Sequence, residues 1–345
     1  MKNSEKFDIR YSKINLVFEF TEDTKMPENK VSAIRGGMGE MLLEQYCLSD
    51  RSCNACKFKE DCTVPRIFYH PLKIKPEYVT NGESLGYIIE CENKQTTFSR
   101  GDKLKVNIIL FGNVIIYFSQ ILQALYMLGM KGIGKEKSRF EIAGIFNEKR
   151  QPILEDGAIN NNKIIINTLS NYIEYQLKKL NSSDRKILKF CTPISQKFRG
   201  QWLNKFDGQA LTEAAIRRVY LLNCMEGNDV GKIYLESEFP YIEEQEVYHT
   251  KIDRYSNTHK SHIALHGIKG ECVLGNISDE SLEYLIAGQL VHIGKNTSMG
   301  FGRYVIFSKK FLAPKSRLIL FNVKIKTAER KDKMMKFMTP IRILI

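Results

Sequence analysis

Apolar residues at Ile34, Met38, Met41, Leu42 and Tyr46 recur at the spacing of one helix face, with Asn29 ahead of them as a cap. This predicts a helix over 31–46. A Gly36-Gly37 pair inside it would let another element's backbone approach closely. Upstream, residues 14–20 are rich in β-branched and aromatic side chains and read as a strand. Extended runs follow at 86–91 and 103–110, Gly112-Asn113 opens a long apolar helix to Gly129, and 139–145 closes the unit as a strand. A polar stretch at 155–162, a short helix near 171–180 and the run Asn181-Ser182-Ser183-Asp184 then mark a boundary. The plan repeats after it. A strand at 186–192 precedes a helix from Asp207 with Leu211, Ala215, Val219 and Leu222 on one face. Extended runs at 246–252 and 262–268 lead to a helix capped by Ser278 and carrying Leu282, Leu285, Ile286 and Leu290, and 301–307 is the closing strand.

Strand, helix, strand, strand, helix, strand, twice over, is the order of two tandem ferredoxin-like (RRM-like) domains of the α+β class. The divisions are an N-terminal domain at 1–184, a C-terminal domain with a glycine-rich loop at 185–308, and a basic extension at 309–345. A chain of 345 residues suits two domains, and 43% apolar content suits two cores. The net charge of +13 favours a polyanionic partner, nucleic acid ahead of a membrane surface. Residues 1–13 are polar and mixed in charge, which argues against export. Residues 114–130 are interrupted by Ser119, Gln120, Gln123 and Gly129 and read as a buried helix, so the expectation is a cytoplasmic protein without a membrane partner.

Eight cysteines in such a chain argue for thiols or metal ligands over disulfides. Cys47, Cys53, Cys56 and Cys62 lie within sixteen residues around a Lys-rich loop. Thiolates are soft ligands, and four so close suit a structural tetrahedral zinc, a four-cysteine knuckle inserted in the first domain. Free thiols or an iron-sulfur cluster are the alternatives. Cys91, Cys191, Cys224 and Cys272 are scattered and read as small apolar residues. Gly132, Gly134, Lys135, Lys137 and Arg139 form a turn whose bare backbone and cations could hold a phosphate. A second glycine-rich turn, Gly294-Lys295-Asn296-Thr297-Ser298-Met299-Gly300-Phe301-Gly302-Arg303, enters a strand from a helix, the reverse of a nucleotide-binding loop, and lacks the Walker spacing.

These segments also carry a resemblance. Ile34-Arg35-Gly36-Gly37-Met38-Gly39, the cysteine loop, Gly132-Ile133-Gly134-Lys135, Phe190-Cys191-Thr192-Pro193, Arg254-Tyr255-Ser256-Asn257 and 294–304 occur in a consistent order. Together they resemble the CRISPR repeat-RNA (pre-crRNA) processing endoribonucleases of the RAMP superfamily. The resemblance implies two ferredoxin-like domains, and a metal-independent cut within the repeat in which the RNA's 2′-hydroxyl attacks the adjacent phosphate. The products would be a 2′,3′-cyclic phosphate and a 5′-hydroxyl, with mature crRNA and other CRISPR effector subunits as partners. The chain has no histidine between Met1 and Tyr69, where many relatives carry their catalytic one.

Proton transfer then falls to His259 or His262, with His70 as a further candidate, because histidine titrates near neutrality. Phosphate contacts are assigned to Arg35, Arg199, Arg217, Arg254, Lys295 and Arg303, with Lys135, Lys137, Arg139 and Lys260, and to the backbone at Gly294, Gly300 and Gly302. No catalytic metal is expected. The competing reading is a non-catalytic crRNA-binding RAMP subunit of an effector complex. Residues 309–345 carry eleven Lys+Arg against two Asp+Glu, either an electrostatic arm for RNA or strands added to the second sheet.

Overall fold

The structure, a computed structural model, describes residues 3–53, 55–68, 72–77, 86–181, 184–256 and 261–309. Arg10–Phe20 (β1), Lys30–Tyr46 (α1), Tyr87–Glu90 (β2), Lys103–Phe111 (β3), Phe118–Lys131 (α2) and Phe140–Phe146 (β4) form the first half. Its antiparallel sheet runs β2-β3-β1-β4, and the short strand Asn167–Thr168 pairs with the start of β1. Leu169–Leu177 (α3) leads to the second half: Arg185–Ile194 (β5), the tiny strands Lys197–Phe198 (β6) and Gln201–Trp202 (β7), Gly208–Glu226 (α4), Tyr241–Ser256 (β8), Ser261–Gly275 (β9), Asp279–Val291 (α5) and Tyr304–Lys309 (β10). The main sheet there runs β8-β9-β5-β10, which matches the first sheet strand for strand. The structure is thus mixed α and β, with antiparallel sheets.

The predicted caps at Asn29 and Ser278 form, accepting from the backbone N–H groups of Ser32 (3.5 Å) and Ser281 (3.1 Å). Asp207, where a helix start was expected, accepts from that of Ala210 (2.8 Å). Each bond satisfies a donor that an uncapped helix start would leave bare. In the first half, Ile14, Leu16 and Phe18 of the sheet pack with Ile34 and Met38 of α1 and Leu125 and Leu128 of α2. Burying each such side chain stabilises by roughly 1.5–3 kcal/mol. Gly37 permits the crossing of α1 and α2, since a Cβ there would lie 2.4 Å from Leu128, whereas Gly36 meets nothing. The second core gathers Leu211, Val219, Leu222, Leu285 and Ile286 and extends to Tyr11, Ile88 and Ile109 of the first sheet. Both sheets belong to one compact unit.

Several boundaries differ from the sequence reading: the strands expected at 246–252 and 262–268 are longer, Tyr241–Ser256 and Ser261–Gly275, and two other differences have a visible cause. The apolar helix begins at Phe118, because Gly112–Tyr117 is a 3₁₀ segment whose first residue has a φ of +52° and abuts Glu226 of the other half. By length and composition Gly112–Lys131 could cross a membrane, yet Val114, Phe118, Ile121, Leu125 and Leu128 are buried in the first core. The closing strand starts at Tyr304, since Gly302 has a φ of +74° and folds with Phe301 into the preceding loop. The hairpin of β6 and β7 was not anticipated.

Candidate nucleic-acid interface

The C-terminal end of β5 is where the chemistry collects. Past Ile194, β9 no longer has β5 beside it, and β8 and β9 continue paired only with each other as a projecting ribbon. Gly267 marks the departure point: a Cβ there would stand 2.7 Å from the carbonyl oxygen of Ile194. On the other side, the glycine-rich loop is tied to the same strand end. The N–H of Lys295 donates to Ser195 O (2.7 Å) and that of Gly302 to Pro193 O (2.8 Å), while Ile293 N–H closes the loop on Gly302 O (3.1 Å). Gly294 and Gly302 are glycines by necessity. Each has a positive φ, and a Cβ at Gly302 would lie 1.8 Å from Ile293 O. Gly300 touches Val31 at the start of α1, so the loop rests on both halves.

Behind the loop lies a buried charge network that joins the halves. Glu90, at the end of β2, receives Lys13 (2.9 Å) and Asn107 (3.1 Å) on one carboxylate oxygen. The other oxygen meets Arg303 Nε (3.0 Å) and His292 Nε2 (3.2 Å). Burial alone would raise the Glu90 pKa, but the His292 hydrogen bond and the neighbouring cations override it and hold the group well below the usual carboxylate range. Burial pushes His292 down, against the pull of Glu90, so the imidazole is neutral and donates through Nε2–H. An unpaired charge at this depth would cost several kcal/mol, which explains why the carboxylate is surrounded by donors.

A third element flanks the loop. Lys197, Phe198, Gln201 and Trp202 pair across a two-residue turn at Arg199-Gly200, both at positive φ as a type I′ turn requires. Ser195 and Lys295 form a β-bridge, placing the hairpin's base against the loop. Arg199 reaches Gln209 (3.0 Å), and its guanidinium lies over Phe198.

Of the residues singled out from sequence, Gly294, Lys295, Gly300, Gly302, Arg303 and Arg199 therefore come together around β5. Lys295 is exposed, whereas Arg303 is engaged by Glu90 and Glu92. Arg217 lies half-buried on α4, and Arg35 on α1 stacks over Phe68. Lys135, Lys137 and Arg139 are exposed on the turn after α2. His70, His259 and Lys260 lie outside the described residues, as do residues 310–345 and the side chains of Arg254 and His262. The backbone of His262 is in β9 opposite Tyr255, near the ribbon's tip. Sequence reasoning missed Glu90, His292 and Trp202.

In the first half, Cys47, Cys53, Cys56 and Cys62 border one apolar pocket with Leu43 and Phe58. All four are free thiols, and burial, then the neighbouring Cys47, Cys62 and Cys56, raises the Cys53 pKa. Among the described residues, no three His, Cys, Asp or Glu side chains stand together as a ready-made metal site.

Two α+β halves share a braced glycine-rich loop, and each half is similar to a known family model. Residues 188–304 match the model of the CRISPR-associated endoribonuclease Cas6. Residues 9–165 match a second model, the AF_1859_N N-terminal domain. Two solved structures, a partial Cas6-RT-Cas1–Cas2 complex and the Cas6-RT-Cas1–Cas2 complex, share the fold at TM-score 0.53 and 13% identity over 88% of the chain. The chain spans 47% and 29% of those two proteins. A Cas6 (TTHA0078) product complex aligns at TM-score 0.45 and 14% identity, covering 87% of this chain and 100% of that one. A search of curated proteins gave no match.

Proposed function

We propose that this chain is a metal-independent endoribonuclease that cleaves precursor CRISPR RNA within the repeat, by attack of the RNA's own 2′-hydroxyl. One observation carries the reading. The braced glycine loop, the projecting ribbon and the basic hairpin meet at the end of β5, and all fall within the segment that matches Cas6. Transesterification at phosphorus develops negative charge, which fixed cations stabilise best when they need not reorganise. Lys295, on a loop held at both ends, meets that need. His259 and His262, with His70 as a further candidate, are the proposed proton-transfer groups. The identical strand order of the two sheets supports reading each half as ferredoxin-like. CRISPR repeat RNA and other effector subunits are the partners, in a cytoplasmic setting.

The thiol-lined pocket completes the proposal as a structural zinc site. Drawn together around a metal, the four cysteines would supply a closed tetrahedral donor set, and the apolar lining would shield it, with no role in the chemistry.

The test is incubation with labelled cognate repeat RNA in EDTA. Cleavage giving a 2′,3′-cyclic phosphate, abolished by one 2′-deoxynucleotide at the cut, is the expected outcome. Binding without cleavage would favour the non-catalytic crRNA-binding subunit, and cleavage of the deoxy substrate would require a water nucleophile.

A further inference from the structure

Trp202 is the single tryptophan of the chain, and it is 54% exposed. Burying an indole is strongly favourable, so one left on a two-residue strand without a core beneath it calls for a reason. Its surroundings supply one. Lys197, its cross-strand partner, holds Nζ 5.0 Å from the ring centroid, and Lys295 of the glycine-rich loop holds Nζ at 5.3 Å. The hairpin is closed at both ends. Its tip is the turn at Arg199-Gly200, and at its base Leu203 N–H donates to Gln196 O at 2.9 Å. The indole is therefore presented at a fixed place, beside the loop and among exposed cations.

We infer that Trp202 is a stacking platform for one unpaired RNA base, with Lys197 and Lys295 reaching the phosphates on either side of it. The inference rests on the RNA-binding reading above and adds a single-stranded contact to it. Every base has a π-face, so an aromatic platform is tolerant of sequence, while the ammonium groups supply affinity that depends on salt. The cation–π contacts keep the ammonium groups at the ring, from which a base can displace them. A duplex has no unstacked base to offer, so the platform discriminates in favour of a single strand.

The lone tryptophan makes the test direct. A fluorescein-labelled mixed-sequence single-stranded oligoribonucleotide of about one repeat's length is titrated with the full chain, following anisotropy for binding and tryptophan emission for stacking. Binding should be accompanied by quenched emission and by protection from acrylamide. Trp202→Phe should retain most of the affinity, whereas Trp202→Ala should bind about 10-fold more weakly. Lys197→Ala should keep the aromatic contribution and flatten the salt dependence. If anisotropy reports binding but emission is unchanged and Trp202→Ala binds like the parent, the platform is overturned and RNA binding stands. Equal quenching by a fully paired duplex also overturns it. If no RNA binds at all, the proposed function fails and the platform with it.

Discussion

The two halves make the same turn after their second helix and use it differently. In the first, Gly132-Ile133-Gly134-Lys135 follows α2, and Ile133 and Ser138 exchange backbone hydrogen bonds of 2.9 and 3.0 Å, closing a short self-contained hairpin into β4. In the second, His292-Ile293-Gly294-Lys295 follows α5, but the closure is deferred to Gly302, and the longer loop is tied to β5, touches α1 and backs onto Glu90. A common unit is thus tied locally through Ser138 to Lys25 in one half and braced across both halves in the other. Bracing fixes the placement of charge, which suits the second turn to a demanding phosphate contact and leaves the first as a peripheral one.

The thiol pocket offers the bluntest way to separate the halves, because it belongs to the first alone. Purified protein should contain about one zinc per chain. Replacing Cys53 and Cys56 with serine should abolish the metal and lower the melting temperature, whereas Cys191→Ser should leave metal content unchanged. Metal analysis and thermal unfolding check this. A metal-free parent that melts as before treatment with chelator would remove the zinc.

Next in size is a pair of glycine replacements. Gly302→Ala puts a methyl into Ile293 O at positive φ and should cost about 3 kcal/mol. Gly134→Ala has the same unfavourable φ but open space, and should cost about 1 kcal/mol. Equal losses in urea denaturation would show that the second loop is no more constrained than the first.

The lysines that follow those turns test the functional side. Lys295→Ala should weaken repeat RNA roughly 5- to 10-fold and lower the slope of log affinity against log salt by about one. Lys135→Ala should change affinity about 2-fold or less. A larger effect at Lys135 would reverse the assignment.

What the sequence disclosed follows the range of the forces involved. The spacing in α1 and the caps at Asn29 and Ser278 are local, and they emerged as predicted. The cysteine cluster was legible for the same reason. The start of α2 was not, because Glu226, from the opposite half, meets Gly112 and receives the Asn113 N–H at 3.1 Å. Glu90 and His292 are 202 residues apart, and no local pattern pairs them. Lys295 was found through its glycines, but Trp202 escaped because two-residue strands show no periodicity. Arg303 was read as a phosphate contact from its motif, and only the fold reveals the carboxylates that engage it.

A last comparison probes the brace itself. His292 has a pKa lowered from 6.5 by burial, so the unfolded chain takes up that proton first and stability falls as pH drops below about 6.5. Glu90 is depressed from 4.5, so its contribution is present above that value and is lost only as pH falls further, toward its folded-state pKa. The two windows therefore open in turn as pH falls, the histidine's below about 6.5 and the carboxylate's below about 4.5. His292→Gln keeps an amide donor for Glu90 but cannot titrate. Urea midpoints taken at steps from pH 7 to 5 should thus decline less steeply in the variant, by up to about 1.4 kcal/mol per pH unit, with acid loss below 4.5 retained. The corresponding turn of the first half is backed by the buried hydroxyl of Ser138, which donates to Lys25 O at 3.0 Å and does not titrate in this range. Ser138→Ala should consequently lower stability by a similar amount at every pH. If His292→Gln keeps the parent's slope, the imidazole is not the group that couples the brace to protons.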